Sequence, residues 1–266
     1  MKHKLNLVPA GCVPVETMYR NVDLCKALGL PEATWKQGRP ALAVVGGGKS
    51  AADSLAELRA WPGDIWACGS TFQWLEREGI HATLFCVDPQ AGLAGMAVGA
   101  RKALLASNCD PSAFDVLKDA EVEVFHLVND NVGVHHGPTT ASAAFDLATK
   151  MGYLDQSYFG FDSSYQEGPV EQMPERYQIA DPMTHNHKAE KEPFLVRIVC
   201  DGKAFLTSAE FFMQAQWMAL MFNSKVGEIG IIKNRSGGLL SAMINDPDYD
   251  CTHVSLRLAA DLQEAA

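Results

Sequence analysis

Short apolar runs recur through this sequence, and several end on a glycine, serine or aspartate. Ala41–Val45 runs into Gly46-Gly47-Gly48-Lys49-Ser50, Ile65–Cys68 into Gly69-Ser70-Thr71, Thr83–Val87 into Asp88-Pro89, and Ser157–Phe161 into Asp162. Leu104–Ala106 and Val122–Val128 are further runs of the same kind. Runs this short and this continuous predict strands buried on both faces. Helical stretches lie between them. One carries Leu55 and Leu58 on one face, one starts at Phe72 and stops at Gly79, and one covers Ser112–Lys118. Another covers Pro138–Met151, with proline in its first turn and Gly152 just past its end, the usual asymmetry of helix ends. Strand and helix in alternation predict an α/β, Rossmann-like fold: a mostly parallel sheet with helices on both faces. Ligands of such sheets bind beyond the carboxyl ends of the strands. Here those ends are the glycine-rich and acidic positions.

The flanks read differently. Residues 1–40 are punctuated by proline and glycine and predict an N-terminal extension with one short helix over Asn21–Gly29. The Rossmann-like nucleotide-binding catalytic domain is expected over 41–233. Within it, 163–193 is a long polar segment without periodicity, the kind of stretch that often serves as a lid or mobile loop. Leu195–Cys200 and Lys203–Leu206 predict a hairpin across Asp201-Gly202, a dipeptide suited to a type I′ turn. A Phe-, Met- and Trp-rich helix over Ser208–Phe222 follows, then a last strand over Gly227–Lys233. The C-terminal tail, 234–266, is expected to carry a helix over Ser255–Ala265.

Composition narrows the function classes. The 266 residues are 47% hydrophobic and 20% charged, enough for a substantial core. The formal net charge of −10 argues against a general nucleic-acid or anionic-membrane binder. The seven cysteines are scattered without a CxxC pair, which reads as reduced thiols rather than a disulfide framework or zinc site. No apolar stretch reaches the roughly 18 residues of a membrane span, and the N-terminus lacks the apolar run of a signal peptide. The expectation is a cytoplasmic protein acting on small molecules, and a homo-oligomer is compatible with it.

The strand–Gly46-Gly47-Gly48-Lys49-Ser50–helix unit is the strongest local signal. Glycines let backbone amides approach an anion, and a helix start favours phosphate. It is not a P-loop, which would need glycine at position 43, where the chain has Ala43. The alternative is a tight strand-to-helix turn required only by packing. Asp88 could hold a metal or a ribose hydroxyl, or cap a turn. Asp162, in Gly160-Phe161-Asp162-Ser163-Ser164-Tyr165, carries the same two readings. His185-Asn186-His187 in the polar segment suits a general acid or base, since histidine titrates near neutrality.

Four phrases in order carry a resemblance: ALAVVGGGKSAADSLAELRA, DIWACGSTFQWLEREGIHATLFCVDPQ, GPTTASAAFDLATKMGY with the later YFGFDSSYQEG, and KAFLTSAEFF. Over about 40–225 the chain resembles the family of motility-associated factors and archaeal 6-hydroxymethylpterin diphosphokinases. The third block is also similar to small bacterial sialyltransferases, with Lys49 in place of the proline of their first loop. The resemblance implies a nucleotide-donor transferase. As a sugar transferase, it would hold a nucleotide-sugar on Gly46–Ser50, Gly69, Ser70, Thr139 and Thr140. His187 or His185 would then be the base, and Tyr165 would assist the leaving phosphate. As a diphosphokinase, it would use ATP with magnesium, with Lys49 on the phosphates and Asp88 as metal ligand. A third reading is a non-catalytic nucleotide-binding module.

Overall fold

A computed structural model describes residues 13–127, 139–168, 194–225, 230–246 and 255–258. Seven strands form one parallel sheet: β1 (Leu42–Val45), β2 (Asp64–Cys68), β3 (Thr83–Cys86), β4 (Lys102–Ala106), β5 (Glu121–Phe125), β6 (Asp155–Phe159) and β10 (Ile231–Asn234). Their spatial order is β10-β6-β1-β2-β3-β4-β5. The four residues of β1 are fully buried, as an unbroken Leu-Ala-Val-Val run at the centre of a two-layered cover requires.

The helices α2 (Ser50–Asp53), α3 (Leu55–Arg59), α4 (Thr71–Arg77), α5 (Leu93–Ala97) and α6 (Pro111–Val116) connect successive strands from β1 to β5. The chain then returns past its start through α7 (Thr140–Lys150), which leads into β6 on the other side of β1. Right-handed crossovers running in opposite directions put their helices on opposite faces. The strand order therefore reverses between β1 and β6, the position where ligands of open α/β sheets bind. An α/β, Rossmann-like fold is what the sequence predicts, and it is what the chain adopts.

A second, four-stranded sheet holds β7 (Gln166–Gly168), β8 (Phe194–Cys200), β9 (Lys203–Thr207) and β11 (Ser255–Leu258), in the order β11-β8-β9-β7, with antiparallel pairings. The β8–β9 hairpin turns on Asp201 (φ 50°) and Gly202 (φ 68°), the left-handed pair that the Asp-Gly turn demands. Helix α8 (Ala209–Lys225) follows, and α9 (Gly238–Asn245) packs against it.

Several boundaries differ from expectation. The N-terminal helix is α1 (Val15–Ala27), not Asn21–Gly29. It packs on α6, while Ala33 and Val124 tie the following segment to the β5 edge through backbone hydrogen bonds of 2.8 and 2.9 Å with Val124 and Pro31. The polar segment begins with a strand, β7, because β9 offers an open edge. The expected tail helix at Ser255–Ala265 starts instead as β11. Its Ser-Leu-Arg-Leu alternation has period two, and pairing with β8 decides in favour of the strand. Among the described residues, no helix is long and apolar enough to cross a membrane.

Candidate functional site

The carboxyl ends of β1, β6 and β10 meet in one junction. Gly46 donates its amide to the Phe159 carbonyl at 2.8 Å, and Gly48 donates to Gly160 at 2.7 Å. The Asp162 carboxylate accepts from the Ser50 amide at 2.9 Å, from the Ser50 hydroxyl, and from the Gly237 amide at 3.0 Å. Ser236 fixes the third strand end: its hydroxyl donates to the Tyr158 carbonyl at 3.1 Å and accepts from the Phe161 amide at 2.9 Å. Asp162 thus sits at the starts of both α2 and α9, where a negative charge complements the unpaired amides.

These contacts explain the glycines. A Cβ on Gly48 would stand 2.6 Å from the Asp162 carboxyl carbon, and one on Gly46 would stand 2.6 Å from the Phe161 ring. Gly160 has φ +69°, and a Cβ there would lie 2.6 Å from the Gly46 carbonyl oxygen. The inner amides of the β1 turn are therefore spent on the protein itself, those of Gly46 and Gly48 on carbonyls and that of Ser50 on the Asp162 carboxylate. Gly47 is half-buried and Lys49 is exposed, so the outer side of the turn is the side a ligand can reach.

The β6 turn is held from a third direction. Ser163 adopts φ +56°, an uncommon backbone for a non-glycine residue. Its carbonyl accepts from the Thr207 hydroxyl at 2.7 Å, and its hydroxyl accepts from the Gln214 amide at 2.9 Å. Those partners belong to β9 and α8, so the turn bridges the two sheets.

The other expected site residues stand at the same edge of the parallel sheet. Gly69 (φ +54°) and Ser70 follow β2, next to the β1 turn. Thr139 and Thr140 open α7, which runs antiparallel to the strands and so begins at their carboxyl edge. Ser142 closes that start: its hydroxyl accepts from the Thr139 amide at 3.1 Å and donates to the Thr139 carbonyl at 2.7 Å. Asp88 follows β3 and accepts from the Gln90 amide at 2.9 Å, capping its own turn. Asp88 and Asp162 do not end neighbouring strands. β1 and β2 lie between theirs, a separation of about 14 Å at normal strand spacing, so one ion cannot bind both.

Tyr165 is only 2% exposed, with its ring 5.4 Å from that of Phe211 and its amide on the Leu206 carbonyl. That position is a packing position between the β6 turn and the small sheet. His185 and His187 lie outside the described residues, in the segment between β7 and β8. Cys68 adjoins Gly69, but burial, reinforced by Cys86, pushes its thiol well above the usual range, which makes it a poor nucleophile. Among the described residues, no group of three or more His, Cys, Asp or Glu side chains gathers in a metal-binding arrangement.

The third wall, Ser236-Gly237-Gly238 with α9, was not foreseen from sequence. Its signal was the Ser-Gly-Gly triplet ahead of an apolar octet.

No family model matches this chain, and neither does any curated protein. Among solved structures it is similar to the MAf glycosyltransferase from Magnetospirillum magneticum AMB-1, with a TM-score of 0.61 at 16% identity. The match covers 84% of this chain and 36% of that one. The two chains share the fold, and this one spans little more than a third of its neighbour's length.

Proposed function

We propose that this chain is a glycosyltransferase-like enzyme that binds a nucleotide-activated sugar at the carboxyl ends of β1 and β6. The observation that carries the reading is the reversal of strand order between β1 and β6, with a glycine turn at the reversal. The shared fold with a solved glycosyltransferase supports it. In this reading the donor phosphates lie along the outer side of Gly47–Lys49. Gly69, Ser70, Thr139 and Thr140 flank them, and Asp88 stands farther along the edge at the nucleoside end. His187, with His185 as its near alternative, deprotonates the acceptor hydroxyl. Tyr165, buried beside the β6 turn, is the residue that the same reading assigns to the leaving phosphate. The alternative is a diphosphokinase, with ATP and magnesium, Lys49 on the phosphates and Asp88 as the metal ligand.

A thermal-shift series with CMP, CDP, UDP, GDP and ATP, each with and without magnesium, tests this. One nucleotide of the sugar-donor type is expected to stabilise the protein, by about 2.7 kcal/mol at a hundredfold excess over Kd. Donor turnover with the matching nucleotide-sugar is then expected to fall about 10²–10⁴-fold in His187→Ala, with donor affinity little changed. Stabilisation by ATP with magnesium alone would move the reading to the diphosphokinase. No stabilisation by any of them would end it.

A further inference from the structure

We infer that Asp162 is a positioning residue: it acts on the donor through the β1 turn, not by touching the donor. This rests on the functional reading above. The carboxylate reaches three donors on two chain segments, the amide and hydroxyl of Ser50 and the amide of Gly237, across 112 and 75 residues of sequence. The Ser50 hydroxyl also accepts from the Gly237 amide at 3.0 Å, so the contacts form a closed set. Asp162 is 6% exposed, and its backbone carbonyl is engaged as well, accepting from the Leu240 amide at 3.3 Å. Ser164, two positions on, accepts from the Leu239 amide at 3.3 Å. A carboxylate engaged in this way has little left to offer a ligand. Its effect is to fix the height and tilt of Gly47–Lys49 above the sheet and to dock the start of α9 against them. Charge-assisted hydrogen bonds to backbone amides are strong enough to set a turn's geometry. The glycines at 46, 48 and 160 exist to let this junction close, and the donor reads only its outer surface.

The test compares the full chain with Asp162→Asn and Ser50→Ala. The asparagine keeps the size of the side chain but turns an NH₂ toward a donor. Without ligand, amide exchange at Ser50–Ala52 and Leu239–Ser241 is expected to quicken in D162N. With the stabilising nucleotide, Kd is expected to rise about tenfold or more in D162N and about threefold in S50A. The double variant should be no weaker than D162N alone, because both act through one junction. The loss in D162N should be equal for the ribonucleotide and its 2′-deoxy form. A loss confined to the ribonucleotide would mean that Asp162 holds the ribose directly, and would overturn the inference. Unchanged affinity in D162N would overturn it too. If the wild-type chain binds no nucleotide, the functional reading fails and the donor effect fails with it. Exchange still decides the junction in that case, and unaltered exchange in both variants would remove it.

Discussion

The carboxyl ends of β1, β6 and β10 differ in kind from those of β3, β4 and β5. In the first group a buried carboxylate, three close glycines and a left-handed serine are tied by backbone donors and acceptors. In the second, the contacts are soft and partly incomplete. Cys109 donates its thiol to the Cys86 carbonyl at 3.4 Å, and the Asn108 amide reaches Val87 at 3.4 Å. Asn21 of α1 donates to the Asn108 carbonyl at 3.1 Å, yet the side-chain oxygens of both asparagines are buried without a partner among the described residues. His126 links Ser107, at 2.9 Å, to the exposed Glu32, at 3.4 Å. Both groups lie on one edge of one sheet, so the sheet itself does not set how closely that edge is tied; the polar groups at the strand ends do.

Substitutions can break this contrast. The largest effect is expected from Gly160→Ala. It forces a side chain into a left-handed backbone and toward the Gly46 carbonyl, at a cost of about 3 kcal/mol or more by urea unfolding. A cost below about 1 kcal/mol would show that the junction gives easily. At the other end of the edge, Asn21→Leu removes one hydrogen bond together with one unpaired acceptor. It also leaves the Asn108 carbonyl without that donor, so stability should fall by about 1–2 kcal/mol, less than at Gly160. A larger loss would mean that the Asn21 oxygen has a partner after all, and the two regions would then be alike. The smallest effect is alkaline. Burial, first, and the neighbouring Cys86 thiol push Cys109 well above the ordinary 9.0, so the folded protein keeps a proton that the unfolded chain releases. Stability from this group is full below pH 9 and declines as pH rises beyond it. Labelling of Cys109 by a thiol reagent should follow opening of the fold and not ionisation. Rapid native labelling at pH 8 would contradict that.

How much of this was legible depended on whether the cause was local. β1, β2 and β3 were readable because a strand buried on both faces must be apolar throughout, and Asp201-Gly202 because its turn needs those two residues. The glycine turn was visible as a turn, but sequence could not say which way its amides point. That is decided by the Phe159 and Gly160 carbonyls and by Asp162, about 110 positions away. Helix α9 was invisible for a related reason. Gly-Leu-Leu-Ser-Ala-Met-Ile-Asn buries Leu239, Leu240, Ala242 and Met243, which leaves no clear polar face to give it a helical rhythm, and its cap comes from Asp162 instead of a neighbour. Tyr165 shows the same limit: nothing in its place after a strand end signals that its ring is buried against Phe211 of α8.

The contact between Ser50 and Gly237 spans 187 residues. On a ribosome adding about 5–20 residues per second, roughly ten to forty seconds separate the two ends of that contact. The β1 turn waits first for Asp162, and over the last 75 residues both wait for the strand that completes them, with the edge of β6 open to other chains. A nascent chain of this protein is therefore most exposed to mispairing just before β10 emerges, and a chaperone that shields β6 would have most to do then.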